Sequence, residues 1–278
     1  MLFALLAFAV VAAVMALNAY IQSRRARSLA GQRAALLSDV GVLQAALLPA
    51  VPASIGELGV SVAYRPAQGL AAGGDFFDVF TLSPERTGII IGDVSGHGRE
   101  SLIHAALVRY TLRTLMGEGH ALPDVLSRAD RYLTGELGDG FATVIICAYE
   151  HRTGELSWAK AGHEPPIISG QPDALEQSAT PLGLGLGDAW PQFSRRMAPG
   201  ERVCLFTDGL TEARRRGEQL GRAHLALLVG EGLSAQGIVD RIQSDADQCT
   251  DDLAAVVITR TAAVPAVGTS GPREAAVV

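Results

Sequence analysis

Three consecutive isoleucines, Ile89 to Ile91, run into Gly92 and Asp93, and the chain then breaks into Val94-Ser95-Gly96-His97-Gly98. A run of β-branched apolar residues marks a strand buried on both faces, and Asp93 stands where that strand ends. Gly96 and Gly98 permit the positive φ of a tight turn, and Ser101 to Met116 carries helical periodicity. The stretch reads as strand, acidic tip, glycine turn and helix. A carboxylate held at a strand end, with no basic neighbour in sequence, is well placed for a divalent metal.

Other stretches repeat the pattern. Gly73-Gly74-Asp75-Phe76-Phe77-Asp78-Val79-Phe80 leads a glycine pair through acids into a strand. Arg202 to Phe206 runs through Thr207 into Asp208-Gly209, and Thr250-Asp251-Asp252 precedes a last strand, Ala254 to Thr259. Val60 to Tyr64 alternates like a strand closed by Pro66, and further strands are expected at 142–149, 155–160 and 166–169. Helices are expected from Pro123, over 220–229 and over 235–248. Aspartate favours turns, so any one acidic strand tip is ordinary. Four tips, Asp75 with Asp78, Asp93, Asp208, and Asp251 with Asp252, are harder to dismiss together. Several aspartates without a histidine cluster suit hard cations such as Mg²⁺ and Mn²⁺.

Met1 to Ser23 contains no charged residue, enough for a transmembrane helix, and Arg24, Arg25 and Arg27 follow at once. The positive-inside rule then places the rest of the chain in the cytoplasm. A cleaved signal peptide would carry its basic residues on the other flank. Residues 24–48 read as a helical linker in which Leu36, Val40, Leu43 and Leu47 form a short apolar seam. The seam could join two protomers through residues 29–48 or pack on the following domain, and Pro49 and Pro52 end it. The globular domain is expected over 49–260, with a disordered tail at 261–278.

The net charge of −6 offers no basic stripe to displace phosphate counterions, which argues against nucleic acid as a partner. Cys147, Cys204 and Cys249 lie far apart and lack zinc-ligand spacing, and the two in apolar runs read as buried thiols. Lys160 is the only lysine.

Gly73-Gly74-Asp75-Phe76-Phe77-Asp78, Asp93-Val94-Ser95-Gly96-His97-Gly98, Ala161-Gly162-His163-Glu164-Pro165-Pro166, Pro181-Leu182-Gly183, Thr207-Asp208-Gly209 and Asp251-Asp252 stand in a telling order. Over residues 48–260 the chain resembles the metal-dependent PPM (PP2C-like) serine/threonine phosphatases of the bacterial SpoIIE/RsbU type. The resemblance implies an α+β fold, an α/β/β/α sandwich of two antiparallel sheets flanked by helices, with two divalent cations, Mn²⁺ or Mg²⁺, at one end. It makes Asp93 the central catalytic acid bridging both ions, and the Val94 carbonyl a ligand to one. It also makes Asp75 and Asp208 ligands, and Asp251 a ligand ahead of Asp252. Asp78 would be an outer ligand acting through water.

His97 could protonate a leaving group, although the residue itself reads more simply as shaping its turn. His163 reads as structural, and Glu164 stands where the family has proline. The family's phosphate-binding arginine has no clear counterpart; Arg65 and Arg99 are the nearest candidates. The implied substrate is a phosphoserine or phosphothreonine on an anti-sigma-factor antagonist of the STAS type. Two other readings are a catalytically inactive binding module of the same fold and a diguanylate cyclase. The latter shares Gly73-Gly74-Asp75-Phe76-Phe77 but has an acid where Phe76 stands.

Overall fold

The computed structural model describes residues 15, 17–28, 48–67, 73–96, 98–169, 179–187 and 189–261. Most of the expected anchor, the seam at 29–47, His97 and the expected tail from 262 lie outside the described residues. Residues 17–28 form helix α1, exposed along its length. Among the described residues no helix is long and apolar enough to cross a membrane.

From residue 48 onward the chain builds two five-stranded antiparallel sheets. One has the order β1 (Ser54–Ile55), β2 (Leu58–Arg65), β12 (Leu253–Arg260), β9 (Arg202–Phe206), β7 (Ile167–Ile168). The other has the order β3 (Phe76–Ser83), β4 (Arg86–Val94), β5 (Ala142–Glu150), β6 (Glu155–Ala161), β8 (Gln192–Arg196). Helices α2 (Arg99–Gly117) and α3 (Leu122–Leu133) cover the β3–β8 sheet, and α5 (Gly221–Gly230) and α6 (Ala235–Asp245) cover the other. Short elements, α4 (Gly209–Glu212) and the hairpin β10 (Arg214–Arg215) with β11 (Glu218–Gln219), link β9 to α5. The expected sandwich of two antiparallel sheets flanked by helices is what forms.

The period of two along each strand sorts its side chains between two apolar layers. In β4, Ile89 and Ile91 enter the layer between the sheets, while Ile90 and Val94 face α2 and α3. In β5, Ile145, Cys147 and Tyr149 face inward, and Val144, Ile146 and Ala148 face the helices. In β12, Ala254, Val256 and Ile258 face inward, and Leu253, Ala255 and Val257 meet α5 and α6. Central strands covered on both faces therefore lose their polar alternation. Each fully buried isoleucine contributes about 1.5–3 kcal/mol of transfer free energy, which fixes the register and with it the position of every strand end.

The sequence pattern missed β8 and the β10–β11 hairpin. Gln192–Arg196 is an edge strand exposed at four of its five positions, so no apolar alternation announces it. Both residues of each hairpin strand are exposed as well.

Candidate metal centre

Antiparallel pairing brings the end of one strand beside the start of the next. Phe76 at the start of β3 pairs with Gly92 near the end of β4, and Phe206 at the end of β9 pairs with Ala255 near the start of β12. The acidic tips of both sheets thus meet at one end of the sandwich. Three glycines allow the contact. A Cβ on Gly74 would collide with the Val94 carbonyl oxygen and stand 2.8 Å from Asp93 Oδ1. A Cβ on Gly73 would enter the Asp252 carboxylate, and one on Gly209 would collide with the Asp252 carbonyl oxygen.

The carboxylates run from buried to open. Asp75 and Asp252 are buried, Asp93 is half-buried, and Asp208 and Asp251 are exposed. Burial, followed by repulsion from Asp208 and Asp251, pushes the Asp93 carboxyl up to about 7. Burial and then the neighbouring Asp93 hold Asp75 well above the usual carboxylate range. Asp208 is raised by burial and then by Asp251 and Glu212. Gathered acids that repel one another favour protons or cations in their midst.

Each acid has its own support. The Thr207 hydroxyl, fully buried, donates to Asp75 Oδ2 at 2.6 Å and accepts from the Ala254 amide at 3.1 Å, tying the residue before β3 to β12 and the end of β9. Asp252 accepts from the Tyr64 hydroxyl at 2.5 Å, the Ala67 amide at 2.7 Å and the Gly73 amide at 3.1 Å. Both its oxygens are engaged by the protein, so Asp252 clasps the backbone around the site. Asp251 Oδ1 accepts from the Asp252 amide at 2.8 Å. Val94 donates its N–H to the Gly74 carbonyl at 3.3 Å.

His163 joins the two sheets at this end. Its Nε2 lies 3.0 Å from the Phe206 carbonyl and its Nδ1 3.0 Å from Thr143 Oγ1. A carbonyl can only accept, so Nε2 carries the proton and Nδ1 accepts from the threonine. Burial lowers the ring to about 4, which keeps it neutral, and Thr143 pairs with Asp93 across β4 and β5. The Glu164 departure is accommodated by Arg222, which bonds the Pro165 and Pro166 carbonyls at 2.8 Å each and pairs with Glu164 at 3.3 Å.

The expectation for Asp78 is corrected. Asp78 is fully buried on the helix side of β3, where Arg113 pairs with its Oδ2 at 2.8 Å and Arg109 at 3.6 Å. Its carboxylate anchors α2. Asp75, just before β3, turns instead to Thr207 of the other sheet, which separates the two acids. Arg65 is paired with Asp240 at 2.8 Å on the surface, and Arg99 is exposed at the start of α2 beside the glycine turn.

Among the described residues no three His, Cys, Asp or Glu side chains stand close enough together to hold one metal ion as placed. The donor set still fits hard cations in kind: oxygen ligands only, from four chain segments, with their mutual repulsion unrelieved. The hydrogen bonds of Thr207 and Tyr64 to the acids, and the close approach at Gly74, are not legible in the sequence. Thr207 is legible only as part of the Thr207-Asp208-Gly209 motif, which says nothing of its reach to Asp75.

Residues 83–261 match the family described as stage II sporulation protein E (SpoIIE). The chain is 28% identical over 199 residues to the phosphoserine phosphatase RsbU of Bacillus subtilis (strain 168), which covers 67% of this chain and 59% of that protein. It therefore spans less than two thirds of that relative's length. The SiaA-PP2C domain of Pseudomonas aeruginosa superposes with a TM-score of 0.69 at 18% identity, covering 84% of this chain and 98% of that one. RsbX, solved in complex with magnesium, superposes with a TM-score of 0.57 at 14% identity, covering 73% and 94%. These likenesses establish a PP2C-like fold.

Proposed function

The chain belongs to the stage II sporulation protein E (SpoIIE) family, and from that membership we propose that it is a metal-dependent protein serine/threonine phosphatase. The observation that carries this reading is the convergence of four acidic strand tips at one end of the sandwich, with the Asp93 carboxyl pushed up to about 7. The name of the relative RsbU, a phosphoserine phosphatase, and the magnesium bound by RsbX support it.

Asp75, Asp93, Asp208, Asp251 and the Val94 carbonyl would hold two divalent cations, Mn²⁺ or Mg²⁺. Such a pair supplies Lewis acidity that activates water and neutralises charge on a transferring phosphoryl group. The chain supplies position. Asp93 is fixed by the end of β4, Asp75 by Thr207, and the Asp251 backbone by the clasp of Asp252 on Tyr64, Ala67 and Gly73. The exposed side of the site, at Asp208 and Asp251, is where a phosphorylated side chain would enter.

We assign the substrate class to phosphoserine or phosphothreonine on a STAS-type anti-sigma-factor antagonist, and anchorage to the membrane through residues 1–23. The full chain is expected to hydrolyse p-nitrophenyl phosphate and a phosphorylated STAS-type protein with Mn²⁺ present, and to lose both activities in EDTA. Failure on both substrates with either metal would sink the phosphatase reading, and cyclisation of GTP instead would carry the cyclase one. For the anchor, the full chain should sediment with membranes and a chain lacking residues 1–23 should not. Equal partition of the two would remove that assignment.

A further inference from the structure

The β10–β11 hairpin carries Arg214, Arg215 and Arg216 in succession, in a chain with 29 acidic residues against 23 lysines and arginines. All three are exposed. Arg214 turns back on its own hairpin and donates to the Gly217 carbonyl at 2.9 Å. The side chains of Arg215 and Arg216 make no hydrogen bond or ion pair among the described residues, although Glu218 stands across the ladder from Arg215.

Arg216 occupies a costly place. It is the first of two central turn residues, with φ 54°, and Gly217 follows with φ 84°. Positive φ at both positions favours Asn-Gly, and an arginine there meets a steric penalty that glycine avoids. Asp247 holds the turn by accepting the Arg216 amide at 2.8 Å. The Arg214 amide donates to the Gln248 carbonyl at 2.8 Å, and the Arg214 carbonyl accepts from the Asp247 amide at 2.9 Å. The hairpin is thus fastened to both loops that bear the exposed acids, following Asp208 by way of α4 and bonding the chain just before Asp251. The stretch from Asp247 to Asp251 spans at most about 14 Å, which keeps the turn close to the metal end. A bulky cation kept in a strained, exposed turn beside a site points to a role outside the fold.

We propose that the Arg215–Arg216 tip of this hairpin binds an acidic segment flanking the phosphorylated residue of the protein substrate, which rests on the phosphatase reading of the metal end. A protein partner covers about 800 Å² of each surface, a patch on the order of 30 Å across. One bound with its phosphoryl group at Asp208 and Asp251 therefore extends over the hairpin. The metal end is itself acidic, with Glu212 exposed beside Asp208, and the two arginines supply the opposite sign next to it. Their guanidinium groups carry planar forks that match carboxylates. Charges at the rim of an interface select partners and speed encounter, and both effects fade with salt.

The test uses the full chain with Mn²⁺ and two phosphoserine peptides of equal length, one with glutamates on both sides of the phosphoserine and one with lysines. The wild type is expected to hydrolyse the glutamate peptide with a kcat/KM about 10-fold higher, through KM, and added NaCl should erase the difference. Arg216→Asn removes the charge and suits the turn, so it should fold at least as well as the wild type and lose part of the preference. Arg215→Ser with Arg216→Asn should bring the two peptides level. A wild type that hydrolyses p-nitrophenyl phosphate but treats the peptides alike, or favours the lysine one, would overturn the proposal and leave the phosphatase reading standing. So would a folded double variant that keeps the preference; if that variant also lost binding to phosphatidylserine vesicles, the arginines would belong to a membrane contact instead. A wild type that hydrolyses neither peptide nor p-nitrophenyl phosphate would overturn the phosphatase reading, and this inference with it.

Discussion

Replacing Asp93 by asparagine is expected to change activity and metal-free stability in opposite directions. Mn²⁺-dependent hydrolysis should fall by about a thousand-fold, roughly 4 kcal/mol of barrier, because a carboxylate that would hold the cations is gone. The metal-free protein should nevertheless become more stable near pH 8. In the folded chain the Asp93 carboxyl is raised from its ordinary 3.8 to about 7, by burial and then by Asp208 and Asp251. A carboxyl raised on folding binds its proton more tightly in the folded state, so folding loses free energy as pH climbs from about 4 through 7. Asparagine carries no such charge. The melting temperature of the metal-free wild type should therefore drop across that window more steeply than that of Asp93→Asn. Saturating Mn²⁺ should lift the wild type well above the variant at pH 8, since a ligand bound only by the folded state stabilises it. Thermal unfolding from pH 4 to 8, with and without Mn²⁺, reads both effects. Parallel metal-free curves for the two proteins would show that Asp93 does not bear the repulsion assigned to it.

What the sequence made legible follows from how much of each signal is local. Ile89 to Ile91 needs only the chemistry of its own side chains to announce a strand covered on both faces, and the split of Ile90 from its neighbours completes the layers. The acids are local too, since each stands at the end of an apolar run. Asp78 shows where nearness in sequence misleads. It lies three residues from Asp75, but the strand turns it toward Arg109 and Arg113, so the helix claims it. The reverse holds for Thr207 and Tyr64. Their hydroxyls reach Asp75 and Asp252, 132 and 188 residues away, and no spacing encodes such pairs. Gln192–Arg196 forms a strand because β6 offers it an edge, and its own residues do not call for one.

Gly74→Ala should be the most damaging change that leaves every acid in place. The added Cβ would collide with the Val94 carbonyl oxygen and lie 2.7 Å from the Val94 nitrogen and 2.8 Å from Asp93 Oδ1. Two of those atoms are backbone at the end of β4, which is paired on both sides and cannot yield cheaply. The φ of Gly74 is not in the left-handed region, so alanine meets no conformational penalty there and the effect isolates the close approach. Overpacking of this kind costs about 1–3 kcal/mol of stability. The larger effect should fall on the site. A shift of about 1 Å in a reacting centre can cost on the order of a hundred-fold in rate, and Gly74 meets the Val94 carbonyl and Asp93 at once. Gly117→Ala supplies the contrast, because the last residue of α2 has open space around it and a helical alanine gains about 0.5–1 kcal/mol over glycine. Mn²⁺-dependent hydrolysis measured beside urea unfolding separates the two variants. Loss of activity in Gly74→Ala that is explained by its unfolded fraction alone would make the glycine a folding requirement. Loss in a folded protein would place it in the metal centre, as the residue that lets β3 and β4 bring their acids within reach of the same ions.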